Sequence, residues 1–182
     1  MKISECKEGN INFAEISNEY IEVVKASVAK PHVCRWWIDS EFEEIFQDTT
    51  YKKNELFIHG STIICIDNVT TGLSQMYFSA SSSETILSCG ECGLRFFIGD
   101  TDYLKQKLGT VIIGKLVEGI FCATKIERIV CEPQADNGLR LFHLSVPSLE
   151  TTKEYEELTS ALFVSACRET WRRRNQSKLY RS

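Results

Sequence analysis

The chain has 182 residues, of which 43% are hydrophobic and 25% charged, and its formal net charge is −4. This length suits one complete domain with a sizeable core, and the balance of residue types is typical of a globular protein and excludes a disordered chain. The weak acidity, the lack of apolar runs near the roughly 20 residues of a membrane span, and the lack of a signal peptide predict a cytoplasmic protein whose partners are neither nucleic acid nor a membrane.

The first half of the chain predicts two helical regions followed by strands. Residues 13–28 place apolar side chains at helical spacing, and Pro31 prevents that helix from continuing. Residues 32–47 form a second, shorter helical region. Segments rich in β-branched and aromatic residues then predict three strands, at 56–60, 61–67 and 72–80. A turn near Gly60 separates the first two strands.

The next stretch predicts a strand, a helix and another strand in succession. Residues 92–99 form the fourth strand, and 126–132 form the fifth, which Pro133 ends. Between them lies an amphipathic helix whose apolar stripe consists of Ile112, Ile113, Leu116, Val117, Ile120 and Phe121. A tight loop from a strand into a helix brings unpaired N–H groups to the strand end, and such groups bind anions.

The C-terminal part gives weaker patterns. Residues 136–146 begin with an Asp-Asn pair that favours a helix cap, so we expect a short helix there. Residues 159–171 fit either a buried strand or a helix. No repeat or linker divides the chain, so we expect a single domain over 1–172 and a basic, solvated and frayed tail over 173–182.

Eight cysteines are numerous for this length, but most stand singly in apolar segments and behave as small hydrophobic residues. The CGEC motif at 89–92 differs, because two thiols at this spacing form half of a zinc site or a redox pair. Neither a second CxxC motif nor a nearby histidine completes four ligands. We therefore predict no metal, and keep a CxxC metal or redox module as the weakest of three functional hypotheses.

Several motifs, taken in order, resemble the GCN5-related N-acetyltransferases (GNAT). They are KPHVCRWW, GLSQMY, GLRFFIGDTDYLKQKLGTVIIGKLVEGIF, RIVCEPQADN and SALFVSACRETW, and together they span roughly residues 30–172. Within that family the chain looks most like siderophore-biosynthesis acyltransferases of the hydroxylysine type and aminoglycoside 6'-N-acetyltransferases. The resemblance implies a mixed α/β, GNAT-like fold with a mostly antiparallel central sheet, splayed fourth and fifth strands and flanking helices.

The resemblance also implies acetyl-CoA, or another acyl-CoA, as co-substrate. The pantetheine arm would lie beside the fourth strand at Phe97 and Ile98, and Asn137 would contact the CoA. The pyrophosphate would bind the loop that opens the following helix, at Lys105, Gln106, Lys107, Leu108, Gly109 and Thr110. Only the last glycine of the family's Gln/Arg-x-x-Gly-x-Gly pattern is present in this loop. Without the resemblance, the same loop and helix would simply be a turn followed by a core helix.

The acceptor implied is a small molecule with an amine, such as a siderophore precursor or an aminoglycoside. By the resemblance, Trp36 and Trp37 lie at its pocket with Gln75 and Tyr77 on the neighbouring strand. The alternative for the two tryptophans is ordinary core packing. The identity of the acceptor, the acyl chain length and the oligomeric state stay open, with a homodimer as one alternative.

Catalysis is where the chain departs from the family. The amine must lose a proton, and a backbone N–H near Phe97 would stabilise the oxyanion. The family's His or Asp on the fourth strand is replaced by Arg95, whose guanidinium cannot act as a base. Glu91 lies on the same face of that strand, so it serves as the base or pairs with Arg95. Alternatively, Arg95 binds a carboxylate on the acceptor and solvent deprotonates the amine. His143 and Asp136 are weaker candidates for the base. The second hypothesis is therefore a degenerate GNAT fold that binds CoA or a protein partner without efficient catalysis.

Overall fold

A computed structural model describes residues 10–35, 37, 60–78, 90–104, 106, 108–131, 149–151 and 164–179. In chain order the elements are β1 (Ile11–Glu15), α1 (Asn18–Val28), α2 (Pro31–Cys34), β2 (Gly60–Ile66), β3 (Val69–Phe78), β4 (Glu91–Ile98), a short 3₁₀ helix (Thr101–Tyr103), α3 (Leu108–Ala123), β5 (Arg128–Cys131), β6 (Leu149–Thr151), β7 (Val164–Cys167) and α4 (Arg168–Leu179). No helix within these ranges is long and apolar enough to cross a membrane.

The described strands form one seven-stranded sheet in the order β1-β2-β3-β4-β5-β7-β6. The pairs β1–β2, β2–β3, β5–β7 and β6–β7 are antiparallel. The pair β4–β5 is parallel, and its register joins Glu91 to Arg128 and Gly93 to Val130. Parallel neighbours need a crossover connection, which α3 supplies. The predicted mixed α/β fold with a mostly antiparallel sheet is confirmed.

The prediction of a helix from residue 13 is wrong at its start, because residues 11–15 form strand β1. Ile11 is buried and pairs with Ile66 of β2. Asn10 strengthens this edge, since its N–H donates to the carboxylate of Asp67 at 2.9 Å. The helix begins at Asn18, after the extended Ser17, and Pro31 opens α2 as the first residue of a new helix.

Strands β2 and β3 form a hairpin whose turn is Asp67–Asn68. Both residues have positive φ angles, 52° and 65°, which suit the tight turns that match the twist of paired strands. The sequence predicts that the second strand of this hairpin begins at Gly72, but β3 begins three residues earlier, at Val69. The predicted end of the first strand, Asp67, lies in the turn. Gly60 is the first residue of β2, and the predicted strand before it falls at 56–59, outside the described residues.

The predictions for the next three elements agree closely with β4, α3 and β5. The ambiguous segment 159–171 contains both strand β7 and the start of α4. The frayed tail is wrong as far as Leu179, because α4 continues to that residue and carries an ion pair between Glu169 and Arg173 one turn apart. Strand β6 was not predicted, and the helix predicted at 136–146 lies outside the described residues.

The chain divides into two compact units, each built from three stretches. The first takes in the described residues of 1–54, 59–76 and 96–112. Its core consists of Val24, Val28, Val33, Trp37, Ile63, Leu73 and Phe97. The second takes in those of 55–58, 77–95 and 113–182, and its buried apolar residues include Cys92, Val117, Phe121, Ile129 and Ala166. The single domain expected over 1–172 stays a prediction.

Candidate active site

The C-terminal end of β4 is fixed by helix α2, by Trp37 and by strand β3 of the first unit. The ring of Phe97, 9% exposed, meets the ring of Trp37 edge to face at a centroid distance of 5.0 Å. The Nε2 atom of His32 on α2 lies 3.1 Å from the carbonyl oxygen of Ile98. The N–H of Gly99 donates to the carbonyl of Thr71 on β3 at 2.6 Å. The backbone of residues 97–99 is therefore held in one position.

Strand β3 approaches this backbone closely at Gly72. A Cβ atom at residue 72 would fall 2.0 Å from the carbonyl oxygen of Phe97, so any side chain there would force the two strands apart. The close contact with Phe97 therefore explains why position 72, in the GLSQMY motif, is a glycine.

The hydrogen bond of Gly99 also shows which edge of β4 each backbone group faces. Alternate residues of a strand direct their N–H and C=O groups to opposite edges. Because Gly99 faces β3, the N–H and C=O groups of Ile98 face the other edge of the strand. Of the two residues beside which the resemblance places pantetheine, Phe97 and Ile98, only Ile98 faces this edge.

Helix α3 begins at Leu108, so Gly109 and Thr110 lie in its first turn. The first N–H groups of a helix have no partner within it and point toward its N-terminal end. Before the helix, the side chain of Gln106 donates to the carbonyl of Asp102, and Asp100 accepts the N–H of Asp102 at 3.0 Å. Gly109 therefore does open a helix, as the sequence suggests, while Lys105 and Lys107 lie outside the described residues.

The predicted acceptor residues fall into different surroundings. Trp37 is 5% exposed and packs in the core of the first unit, which is the alternative that the sequence left open for it. Gln75 is also buried, on β3 opposite Ser61. Trp36 lies outside the described residues, as does Asn137 of the predicted CoA contacts.

Three predicted residues of the second unit, Tyr77, Glu91 and Arg95, lie near the face of β4 that carries Gly93. The ring of Tyr77 covers Gly93, since a Cβ there would lie 2.0 Å from Tyr77 Cζ. The guanidinium of Arg95 lies 5.9 Å from the centroid of the same ring, which is within the range of a cation–π contact. Tyr77 of β3 and the guanidinium of Arg95 on β4 thus lie side by side.

Glu91 is paired with a residue that the sequence analysis did not consider. Its Oε1 atom lies 3.2 Å from Nη1 of Arg128, the residue opposite it in the parallel register of β4 and β5. The carboxylate is 9% exposed, whereas the guanidinium is more accessible. The carboxylate proposed as the base is therefore already engaged in an ion pair.

The thiol of the CGEC motif that the structure describes, Cys92, is fully buried. Burial, and then the charge of Glu91, raises its pKa from 9.0 to about 12. The raised pKa disfavours the thiolate, which is the form that acts as a redox nucleophile. Within the described ranges, no cluster of three His, Cys, Asp or Glu residues could hold a metal ion, and Cys89 lies outside them.

Sequence reasoning missed His32 and Arg128. Arg128 could not be found without the β4–β5 register. His32 stands inside the KPHVCRWW motif, but the resemblance gives a role only to the two tryptophans of that motif.

Comparisons with known proteins agree with this architecture. The profile of the acetyltransferase (GNAT) domain family matches residues 19–163. The aminoglycoside acetyltransferase AAC(6')-Ib, in complex with paromomycin and acetyl-CoA, is similar with a TM-score of 0.71 at 16% identity, over 90% of this chain and 96% of that one. The aminoglycoside N(6')-acetyltransferase of Legionella pneumophila has a TM-score of 0.67 at 14% identity, over 92% and 97%.

A spermidine N-acetyltransferase, a chimera of the Vibrio cholerae enzyme, has a TM-score of 0.61 at 7% identity, over 88% of this chain and 97% of that one. Similarities at these identities establish the fold. The comparison with curated proteins gives no match.

Proposed function

Because the chain belongs to the GNAT acetyltransferase family, we propose that it is an acyl-CoA-dependent N-acyltransferase with acetyl-CoA as donor and a small polar amine as acceptor. The observation that carries the proposal is the β4–α3 segment. It offers the edge of β4 that the N–H and C=O groups of Ile98 face, followed by a helix whose first turn contains Gly109.

Acetyl-CoA fits the chemistry of this segment. The amide groups of pantetheine are suited to pair with a strand edge, and a pyrophosphate is suited to the N–H groups at a helix N-terminus. Phe97 and Ile98 would hold the arm, and residues 105–110 would hold the phosphates, with Asn137 as a further contact. When bound, the donor supplies a thioester whose carbonyl carbon an amine can attack.

The residues of the chain would then contribute orientation and charge stabilisation. The N–H of Ile98 faces the edge of β4 opposite β3, where we propose that pantetheine pairs, so it is a suitable donor to the oxyanion of a tetrahedral intermediate. The resemblance implies an oxyanion donor near Phe97. Because the N–H of Phe97 itself faces β3, we propose the N–H of the next residue, Ile98, as that donor. Glu91 is engaged in an ion pair with Arg128 and Arg95 is permanently charged, so neither residue is well suited to take the proton of the amine.

The acceptor class rests on the structural neighbours and on the predicted pocket. The neighbours act on aminoglycosides and on spermidine, which are small amines. Trp36, Trp37, Gln75 and Tyr77 remain the proposed acceptor contacts, with Arg95 beside Tyr77 as a cation that suits an acceptor carrying an acidic group. A siderophore precursor and an aminoglycoside therefore remain the two acceptor types to compare.

The second candidate function is a GNAT fold that binds CoA or a protein partner without efficient catalysis. It is favoured by the replacement of the family's acid or histidine by Arg95 and by the ion-paired state of Glu91. Both candidates require acyl-CoA or partner binding, and only the first requires turnover.

Thermal unfolding tests both candidates together with the CxxC alternative. Acetyl-CoA at 100 times its Kd should stabilise the protein by about 2.7 kcal/mol, whereas zinc should have no effect. Stabilisation by acetyl-CoA with acetylation of an added amine supports the enzyme, and stabilisation without acetylation supports the binding module. No stabilisation by any acyl-CoA would contradict the proposal.

A further inference from the structure

The hydrogen bond between His32 and Ile98 fixes the tautomer of the imidazole. The Nε2 atom lies 3.1 Å from the carbonyl oxygen of Ile98. A carbonyl oxygen only accepts, so Nε2 must carry the proton in this contact. In the neutral ring the other nitrogen, Nδ1, is then an acceptor with a lone pair. Among the described residues, Nδ1 has no hydrogen-bond partner.

The backbone that carries His32 is anchored to the core of the first unit. Pro31 opens helix α2, and Val33, the residue after His32, is buried in the cluster that contains Phe97. The N–H of Trp37 donates to the carbonyl of Val33 at 3.0 Å, and the Trp37 ring packs on Phe97. The half-buried imidazole is therefore positioned by packing on one side and by Ile98 on the other.

The ring lies at the same strand edge as the proposed oxyanion donor. The N–H and C=O groups of Ile98 face one edge of β4, and they are separated by no more than one residue's length, roughly 3.3 Å along the strand. A thioester whose oxygen accepts from the N–H of Ile98 would therefore lie next to the imidazole held on its C=O. A carbonyl oxygen has two lone pairs, so pantetheine and His32 can share that oxygen.

We propose that His32 is the general base of the acyl transfer, an assignment that rests on the proposed function. The amine nitrogen attacks the thioester carbonyl carbon and forms the C–N bond, while its proton passes to Nδ1 of His32. The tetrahedral intermediate then collapses, the C–S bond breaks, and the thiolate of CoA takes that proton back from the imidazolium. The products are an amide, free CoA thiol and the neutral ring.

His32 can supply the general base that the side chains of β4 do not supply. Arg95 is permanently protonated, and Glu91 is held by Arg128 at 3.2 Å. A histidine with one nitrogen fixed by a carbonyl and the other carrying a lone pair has the arrangement of a general base whose orientation is set by a hydrogen bond.

The test compares His32→Gln with His32→Ala in the full chain. Glutamine keeps an N–H that can donate to Ile98 but has no basic nitrogen, so it separates positioning of the strand from proton abstraction. The exposed neighbour Cys34, as Cys34→Ser, is the matched control. Acetyl-CoA affinity is measured by calorimetry, and kcat is measured with kanamycin, spermidine and N6-hydroxylysine as acceptors.

We expect His32→Gln to lower kcat by about 100-fold or more with acetyl-CoA affinity within roughly threefold of the unaltered protein, since general bases contribute at least that factor. Added imidazole should restore part of the activity of His32→Ala. Near-normal kcat in His32→Gln, or loss of acetyl-CoA affinity as its main effect, would overturn the assignment of His32 alone. An unaltered protein that binds acetyl-CoA but acetylates none of the amines would overturn the proposed function and this inference with it.

Discussion

The ring of Tyr77 lies directly on the backbone of Gly93, so closely that a Cβ atom at residue 93 would fall 2.0 Å from Tyr77 Cζ. The same ring lies 5.9 Å from the guanidinium of Arg95. Gly93 therefore determines where Tyr77 lies, and Tyr77 in turn contributes to the position of Arg95. Two of the proposed acceptor and catalytic residues depend on one glycine.

Gly93→Ala should move Tyr77 and weaken its contact with Arg95. We expect a loss of about 1–3 kcal/mol in the free energy of unfolding, typical of overpacking, together with a raised KM for the acceptor. Urea unfolding and steady-state kinetics measure the two effects. Gly114→Ala on helix α3 is the control, because a Cβ there meets no atom within 4 Å. It should stabilise by roughly 0.5–1 kcal/mol. Equal effects of the two substitutions would contradict the contact.

Arg168 should be the most important charged side chain for the stability of the second unit. It is 4% exposed and donates to the carbonyls of Phe121, Ile126 and Thr124, the last at 2.8 Å. Arg168→Met leaves these carbonyls at the end of α3 without their donor, so we expect a loss of about 3 kcal/mol in the free energy of unfolding.

The control for this substitution is Arg172→Met on the same helix, where the arginine is exposed. A change within about 0.5 kcal/mol is expected there, as for most surface substitutions. If urea unfolding gave the same midpoint for both variants, the capping role of Arg168 would be wrong.

Gly109→Asp tests the proposed phosphate loop. A carboxylate in the first turn is favourable for helix α3 but repels a pyrophosphate. The fold should be retained, while acetyl-CoA affinity should fall by roughly 100-fold or more, since a like-charge contact costs several kcal/mol. Gly119→Asp places the same charge at an exposed position later in the helix and should keep the affinity. Calorimetric titration of both variants decides, and unchanged affinity in Gly109→Asp would contradict the loop assignment.

The thiols of Cys92, which is buried, and of Cys131, which is half-buried, should be unreactive in the folded protein. Burial raises the pKa of Cys92 and of Cys131 from 9.0 to about 12. The native state therefore retains these protons more tightly than the unfolded chain, so the stability that they contribute is complete below about pH 9 and is lost as the pH rises toward 12. Iodoacetamide at pH 8 should label the exposed Cys34 and Cys122 and leave Cys92 and Cys131 unlabelled until urea is added. Labelling of Cys92 as fast as Cys34 would contradict its burial.

The sequence predicted the elements whose patterns are local and complete. The apolar stripe of α3 repeats every turn, and β4 and β5 are bounded by glycine and proline, so this stretch was correct within a few residues. Strand β1 was missed because its alternation is short and its partner, Ile66, lies far along the chain. Helix α4 was mistaken for a frayed tail because its support comes from the burial of Arg168 at its first turn, which charge composition alone does not reveal.

In the candidate site, too, local features could be predicted from the sequence and long-range contacts could not. Gly109 at the start of a helix could be predicted, because a single glycine before an amphipathic stripe marks such a boundary. The pairing of Glu91 with Arg128 could not, because it depends on the parallel register of two strands separated by a helix. The contact of His32 with Ile98 likewise joins residues 66 positions apart.

The most direct test of the proposed function is acetyl transfer itself. The purified chain is incubated with acetyl-CoA and, separately, with kanamycin, spermidine or N6-hydroxylysine, and both products are measured by mass spectrometry. We predict that at least one amine gains one acetyl group with release of an equal amount of free CoA, and that heat-denatured protein gives neither product. Acetyl-CoA that stays intact with every amine would contradict the proposed function.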